Sequence, residues 1–214
     1  YFAGLSVTMP AKENIIKLLD RVDDTAQKIG AVNTIVQEDH KWVGYNTDFS
    51  GAIAALEACT SLKNKNILII GSGGTAKAVG YGIKKKGGRL TVTYNRNKER
   101  AELLAKELNS DLIDCREVGT RPIDILINCS PVGMNPDINK TPFLARDLKK
   151  EMIVFDAVYN PIETRLLREA KAIGCKVIPG TELFVNQAAR QFELWTGQTA
   201  PIDAMREVLM GKLK

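Results

Sequence analysis

A chain of 214 residues can hold one large core or two modest ones, and 44% hydrophobic with 26% charged residues is the balance of a folded globular protein rather than a disordered one. The formal charge is +5, from 30 Lys and Arg against 25 Asp and Glu. The basic residues are scattered, apart from Lys84, Lys85 and Lys86 at a predicted helix end where they complement the dipole, which argues against nucleic-acid binding. No apolar run reaches the length of a membrane span, and Cys59, Cys115, Cys129 and Cys175 stand at neither metal-ligand nor redox spacing; reduced thiols in a cytoplasmic setting are expected.

The chain opens on Tyr1 without a Met, and Phe2-Ala3-Gly4-Leu5 reads as the middle of a fold, so a preceding segment is expected. Pro10 sits where a first-turn proline is welcome, and Ile15, Ile16, Leu18 and Leu19 give a helical stripe. Residues 31–36 and 41–44 read as short strands around a Glu38-Asp39-His40 turn, and 49–58 as a helix. From about residue 62 to 178, apolar runs at 67–70, 90–94, 123–128, 153–156 and 176–178 alternate with helix-like stretches at 75–86, 98–108 and 164–173. That repetition predicts a parallel sheet covered on both faces, with right-handed crossovers. Helices are predicted at 183–195 and 204–213, separated by Gly197 and Pro201. The expected fold is α/β. A Rossmann-type doubly wound parallel sheet occupies residues 62–180, and a smaller α/β substrate lobe, incomplete at its N-terminus, occupies 1–61. The C-terminal helices, 181–214, pack back on that lobe, and a ligand cleft lies between the two lobes.

Ile67-Leu68-Ile69-Ile70 runs directly into Gly71-Ser72-Gly73-Gly74-Thr75-Ala76, a G-x-G-x-x-A pattern at a strand-to-helix turn. Gly71 permits the turn, Gly73 lets the backbone approach a pyrophosphate, and Ala76 lets the helix lie close to the strand. Gly74 belongs to the same turn, and the helix start offers free N–H groups to phosphates. A glycine turn also ends strands for purely structural reasons, but the strand, the helix and the next strand are all in place here. The tip of that next strand reads Tyr94-Asn95-Arg96-Asn97-Lys98, with Arg100 one turn on, and holds no carboxylate for a ribose hydroxyl. A 2′-phosphate is repelled by a carboxylate and paired by a guanidinium, so NADP is favoured over NAD.

Hydride transfer to a carbonyl needs a proton donor. The single histidine, His40, lies in a predicted surface turn. No Cys/His metal cluster is present in the sequence, so no metal site is expected. Tyr81 and Lys85 have Tyr-x-x-x-Lys spacing but lie on the first helix after the glycine turn, away from the reacting carbon. The donor must come from Lys, Asp or Tyr outside the nucleotide-binding part. Read alone, Lys12 is also a solvated first-turn residue, and Asp48 and Thr8 are also helix N-caps. Asn33, between Val32 and Thr34 in a predicted strand, needs bonded partners. Met134 either touches the nicotinamide or fills space.

Several motifs resemble those of shikimate dehydrogenases. Ser6-Val7-Thr8-Met9-Pro10-Ala11-Lys12-Glu13 resembles the family's N/S-V-T-x-P-x-K-E, Gly30-Ala31-Val32-Asn33-Thr34 its G-A-V-N-T, and Gly44-Tyr45-Asn46-Thr47-Asp48 its G-x-N-T-D. Asn95-Arg96 matches its NADP clamp, Asn128-Cys129-Ser130-Pro131-Val132-Gly133-Met134 its N-x-[ST]-x-x-G-M, and Asp156-Ala157-Val158-Tyr159-Asn160-Pro161 its D-x-x-Y-x-P, with Gln187 in its C-terminal stretch. The resemblance implies NADPH-dependent, reversible reduction of 3-dehydroshikimate to shikimate, a step of aromatic amino acid and chorismate biosynthesis. It implies a catalytic pair, Lys12 and Asp48, and substrate contacts from Thr8, Asn33, Tyr159 and Gln187. Gly71, Gly73, Gly74, Ala76, Asn95, Arg96, Arg100, Ser130, Gly133, Met134 and Gly180 are placed on the cofactor. The details look most like the dehydrogenase half of bifunctional dehydroquinase–shikimate dehydrogenases, which implies a dehydroquinase domain upstream and, in a plant, a plastid location. Two departures stand out. Family members carry an S-x-S near the N-terminus that grips the substrate carboxylate, and none is present from Tyr1 onward; Ser6 replaces the commoner Asn. Two other readings stay open: an NAD-using quinate/shikimate dehydrogenase, and a catalytically weak NADP-binding fragment or regulatory module.

Overall fold

The computed structural model describes residues 2–94 and 97–213. The smaller sheet has four strands, β1 (Gly4–Ser6), β2 (Arg21–Val22), β3 (Thr34–Glu38) and β4 (Lys41–Tyr45), in the order β1-β3-β4-β2. The β3–β4 hairpin closes on Glu38 opposite Lys41, through Asp39 and His40 at φ 48° and 63°, the primed geometry that suits strand twist. Helix α1 (Asp24–Ile29) was not legible in the sequence, because it has only six residues. It starts where the Asp23 carboxylate accepts from the Thr25 and Ala26 N–H groups and stops at Gly30, φ 70°.

The stripe from Ile15 to Leu19 does not become an α-helix. Asn14–Leu18 is a 3₁₀ segment, and Leu18 is 78% exposed. Ile15, Ile16 and Leu19 still pack on Ala26, Val32 and Ile35. Pairing of Arg21 and Val22 with β4 follows at once and leaves no length for further turns.

The larger sheet holds β5 (Asn66–Ile70), β6 (Arg89–Tyr94), β7 (Asp111–Asp114), β8 (Ile125–Asn128), β9 (Ile153–Asp156) and β10 (Lys176–Ile178). Their order is β10-β9-β8-β5-β6-β7, all parallel. Helices α2 (Asp48–Glu57), α3 (Gly74–Lys85) and α4 (Lys98–Glu107) cover one face, with Ile67, Ile69, Val92, Ile125 and Ile127 beneath them. Leu68, Ile70, Leu126 and Val154 point the other way, toward Leu166, Leu167 and Ala170 of α5 (Arg165–Ile173). Burial on both faces explains the unbroken apolar runs in the sequence. The chain order reverses between β5 and β8, and that switch point opens a crevice at the C-terminal edge of the sheet.

Helix α6 (Gly180–Thr196) returns from β10 to the smaller sheet, and α7 (Ile202–Lys212) follows it. Along α6, Gln191 Nε2 donates to the Asn33 carbonyl at 3.1 Å and Trp195 Nε1 to the Ile35 carbonyl at 3.0 Å. Among the described residues no helix is long and apolar enough to cross a membrane.

Candidate active site

The site grows from one buried amide. Asn33, which leads into β3, is 1% exposed. Its Oδ1 accepts from Thr34 Oγ1 at 2.8 Å and from the Thr47 N–H at 2.7 Å. Its Nδ2 lies 2.9 Å from both Thr47 Oγ1 and Asp48 Oδ1. These bonds offset the cost of burying an amide and tie the strand to the start of α2. Asn46 Oδ1 accepts from the Phe49 N–H at 3.2 Å, so Asp48 is not the helix cap. Its Oδ2 instead accepts from Lys12 Nζ at 2.5 Å, and the two side chains are only 13% (Lys12) and 5% (Asp48) exposed. Lys12 is fixed to the same lobe by the Val32 N–H, which donates to the Lys12 carbonyl at 2.8 Å.

A cavity of ≈ 410 Å³ opens beside this pair, within the range of small-ligand sites. Thr8, Lys12, Asn33, Asp48 and Gln187 line it from the small lobe and α6; Thr75, Ser130, Met134 and Tyr159 line it from the large-sheet side. Tyr159 packs on Phe184, with ring centroids 4.6 Å apart. A second cavity, ≈ 390 Å³, lies at the opposite, N-terminal edge of the large sheet and is lined by none of these residues. Ligands of doubly wound sheets bind at the C-terminal edge, which assigns the chemistry to the first cavity.

The glycine turn lies at that edge. Gly71 has φ 118°, and a Cβ there would come within 3.0 Å of the Cys129 carbonyl group, so the ends of β5 and β8 abut with no room for a side chain. At Gly73 an added Cβ would meet nothing within 4 Å, and no side chain caps α3. The first N–H groups of α3 therefore face open space, which fits a pyrophosphate. Ala76 is fully buried against the sheet. A Cβ at Gly74 would lie 3.3 Å from Lys12 Cβ and 3.4 Å from Ala31 Cβ, so the small lobe rests directly on the turn.

Asn95 and Arg96 lie outside the described residues. Arg100 sits in the first turn of α4, its N–H donating to Asn97 Oδ1 at 2.9 Å, and its guanidinium pairs with Glu13 of the small lobe. On the β8 side, Asn128 Oδ1 accepts from Ser130 Oγ at 2.7 Å and from the Ser130 N–H at 3.0 Å. Asn128 Nδ2 donates to Asp156 Oδ1 at 2.9 Å. Burial pushes the Asp156 carboxyl up to about 6, against the bonds it accepts from Thr164, the Val158 N–H and Asn128. The Cys129 thiol is pushed up by burial and by the Asp156 and Asp48 carboxylates, so it does not form a nucleophilic thiolate.

Four further residues weighed in the sequence do not line this cavity. Gly133, φ 93°, faces the Lys140 carbonyl and shapes the loop rather than the cavity wall. Gly180 opens α6 with its backbone against the Val158 carbonyl. His40 is exposed at the hairpin tip, and Tyr81 stands edge-on to Phe49; neither lines the cavity. Sequence reasoning missed Gln191, whose Nε2 lies 3.0 Å from Thr34 Oγ1 and 3.2 Å from Ser6 Oγ at the cavity wall. The signal was there: Gln187 and Gln191 are four apart, on one face of one helix.

A dinucleotide turn at the switch point of a parallel sheet, with an ammonium–carboxylate pair facing it from a second lobe, defines the class: a two-lobed, nicotinamide-dependent oxidoreductase. Three family models match in order along the chain: the shikimate dehydrogenase substrate binding domain over residues 1–35, shikimate / quinate 5-dehydrogenase over 53–163, and the shikimate 5′-dehydrogenase C-terminal domain over 180–210. The chain belongs to the shikimate dehydrogenase family. It is 40% identical over 221 residues to the shikimate dehydrogenase (NADP(+)) of Methanosphaera stadtmanae, covering 99% of this chain and 78% of that protein. It is 39% identical to the chloroplastic bifunctional 3-dehydroquinate dehydratase/shikimate dehydrogenase of Arabidopsis thaliana, covering 97% of this chain and 38% of that one. A crystal structure of the Thermus thermophilus shikimate 5-dehydrogenase, in complex with NADP(H) and shikimate, matches with a TM-score of 0.90 and 35% identity, over 98% of this chain and 79% of that one.

Proposed function

We propose that the chain reversibly reduces 3-dehydroshikimate to shikimate with NADPH, with Lys12 and Asp48 handling the proton. The observation that carries this is the Lys12–Asp48 pair, closed to 2.5 Å and held against the glycine turn beside a cavity of ring size. Bound NADPH supplies the hydride for reduction and, as NADP, accepts it in reverse. In reduction the Lys12 ammonium donates a proton to the ring oxygen; in oxidation the free amine takes the hydroxyl proton. Asp48 aims the amine and balances its charge, and Asn33 aims Asp48. Thr8, Tyr159 and Gln187 offer hydroxyl and amide groups to the ring hydroxyls, with Asn33 behind them in contact with Gln187 Oε1 at 3.3 Å. A site built from directed polar groups rejects a ring that lacks the matching hydroxyls.

Gly71, Gly73, Gly74 and Ala76 form the turn that would hold the pyrophosphate. Asn95, Arg96 and Arg100 follow the strand end assigned to the 2′-phosphate, and Ser130, Gly133 and Met134, in the loop after β8, and Gly180, at the start of α6, are assigned to the nicotinamide end. The partners we assign are small molecules, and a reducing compartment such as the cytoplasm suits four free cysteines. The test is steady-state oxidation of shikimate or quinate with NADP+ or NAD+, followed by coenzyme absorbance. The highest kcat/KM is expected for shikimate with NADP+. A preference for quinate or for NAD+, or no turnover with any pair, would refute the assignment.

A further inference from the structure

The segment that carries Lys12 is thinly anchored. No residue from Thr8 to Leu18 is buried. Its backbone ties include Ala11 N–H to the Thr8 carbonyl, Ile15 N–H to the Ala11 carbonyl, and Val32 N–H to the Lys12 carbonyl. Its next residue, Glu13, reaches the other lobe. Glu13 Oε1 pairs with the Arg100 guanidinium, and Oε2 lies 3.5 Å from Lys77 Nζ. Lys77 is on α3, the helix that starts at the glycine turn, and a second carboxylate, Glu107 of α4, holds it at 3.4 Å. Arg100 is in the first turn of α4, just past the strand end where a 2′-phosphate is read. One carboxylate therefore joins the proton-handling segment to both helices that grip the coenzyme.

We propose that Glu13 is a positioning residue that couples recognition of the coenzyme's 2′-phosphate to the placement of Lys12, by sharing Arg100 with that phosphate. The inference rests on the NADP reading above. A guanidinium has five donors and can serve a carboxylate and a phosphate together. The arrangement trades affinity for placement. The Glu13 charge opposes the incoming phosphate, while the tie to Arg100 and Lys77 keeps Lys12 seated over Gly74.

The test is Glu13→Gln, with NADPH and NADH affinities measured by calorimetric titration and kcat measured with each coenzyme. The two coenzymes differ only at the 2′ position, so a general loosening of the fold moves both alike. The expected result is NADPH binding tightened about two- to fivefold, the scale of one exposed ion pair, with NADH binding unchanged. The gain fades at high salt. kcat is expected to fall severalfold with either coenzyme. Glu13→Asp keeps the charge but is too short to span the gap, so it loses kcat without tightening NADPH. Equal shifts for both coenzymes, weaker or unchanged NADPH binding in Glu13→Gln, or an unchanged kcat would each overturn the proposal. The titrations need no turnover, so a wild-type chain that fails to oxidise shikimate would refute the assigned reaction while they still decide whether Glu13 shares Arg100 with the 2′-phosphate.

Discussion

Replacing Lys12 by Met keeps most of the side-chain volume and removes the ammonium. Two quantities should move, and they should move independently. The first is rate. A positioned proton donor contributes about a hundred- to ten-thousandfold, or roughly 3–5 kcal/mol of barrier. kcat should fall by that factor while NADPH affinity holds, because Lys12 meets the nucleotide turn through its aliphatic stem. The second is stability. Asp48, with its side chain 5% exposed, loses its 2.5 Å partner and keeps one bond from Asn33 at 2.9 Å. Breaking a buried ion pair from one side costs about 3–5 kcal/mol. Lys12 was 13% exposed, so water reaches the vacated place and the lower end, about 3 kcal/mol, applies. The double variant Lys12→Met/Asp48→Asn removes both charges. It should regain about 2 kcal/mol over the single variant in urea unfolding, yet stay as inactive. A single variant that keeps kcat within tenfold of wild type would remove Lys12 from the chemistry. A double variant less stable than the single would show that the stranded Asp48 charge is not what destabilises Lys12→Met.

Asp156 sets a pH dependence. Its folded value near 6 lies above the ordinary 3.8, so the folded state favours the protonated form. Below the ordinary value both states are neutral and nothing is lost. As pH rises through about 4 to 6, the unfolded chain's carboxyl ionises while the buried one holds its proton, so stability falls, by about 3 kcal/mol in all. Asp156→Asn abolishes that slope and costs a pH-independent hydrogen bond, about 1 kcal/mol, at Thr164. Urea midpoints for the two proteins from pH 4 to 8 should converge and then cross as pH rises; a constant difference would mean the carboxyl titrates normally. Gly51→Ala probes the helix pair behind the site. The added Cβ would stand 2.8 Å from the Gln187 backbone nitrogen and 3.0 Å from the Leu183 carbonyl oxygen. Helix backbone cannot yield as a side-chain tip does, so α2 and α6 must part, at about 1–3 kcal/mol. The KM for shikimate should rise severalfold with NADPH affinity unchanged, and kinetics identical to wild type would show that the contact relaxes freely.

The large sheet was legible because its chemistry is local and redundant. β5, β8 and β9 are buried on both faces, which writes them as unbroken apolar runs, and β5 ends in glycines whose spacing fits only a few turns. β7 escaped notice because its four residues begin and end in Asp and only Ile113 is buried. The stripe at Ile15–Leu19 misled for a different reason: periodicity reports which residues seek cover, and a 3₁₀ turn covers three of them as well as an α-helix does. Within the site, Asn33 between apolar neighbours announced a buried amide with partners, but not that the partners are Thr47 and Asp48. The roles of Lys12 and Asp48 came from motif resemblance, whereas the NADP preference was already readable from Arg96 and the lack of a carboxylate at the strand tip. The Glu13–Arg100 pair spans 87 residues and exists only because the lobes close on each other, so no spacing rule encodes it.

The small lobe has few buried apolar residues with which to hold Asp48 in place. It uses α6 instead. Gln187, Gln191 and Trp195 recur every fourth residue, one stripe along the helix, and they meet Asn33, Thr34 and Ile35 in order along the strand. A one-residue slip of β3 would break all three contacts at once, each worth about 1 kcal/mol, and would turn Asn33 away from Asp48. The register that buries the strand is thus the register that aims Asp48 at Lys12. Asp48 rides on α2 and Gln187 on α6, and these helices approach backbone to backbone at Gly51. Asp48 and Gln187 are therefore carried by one tightly packed helix pair. The Lys12 segment is held differently: it rests on the glycine turn at Gly74 and is tied across to α3 and α4 through Glu13, so the placement of Lys12 depends on the contact between the two lobes.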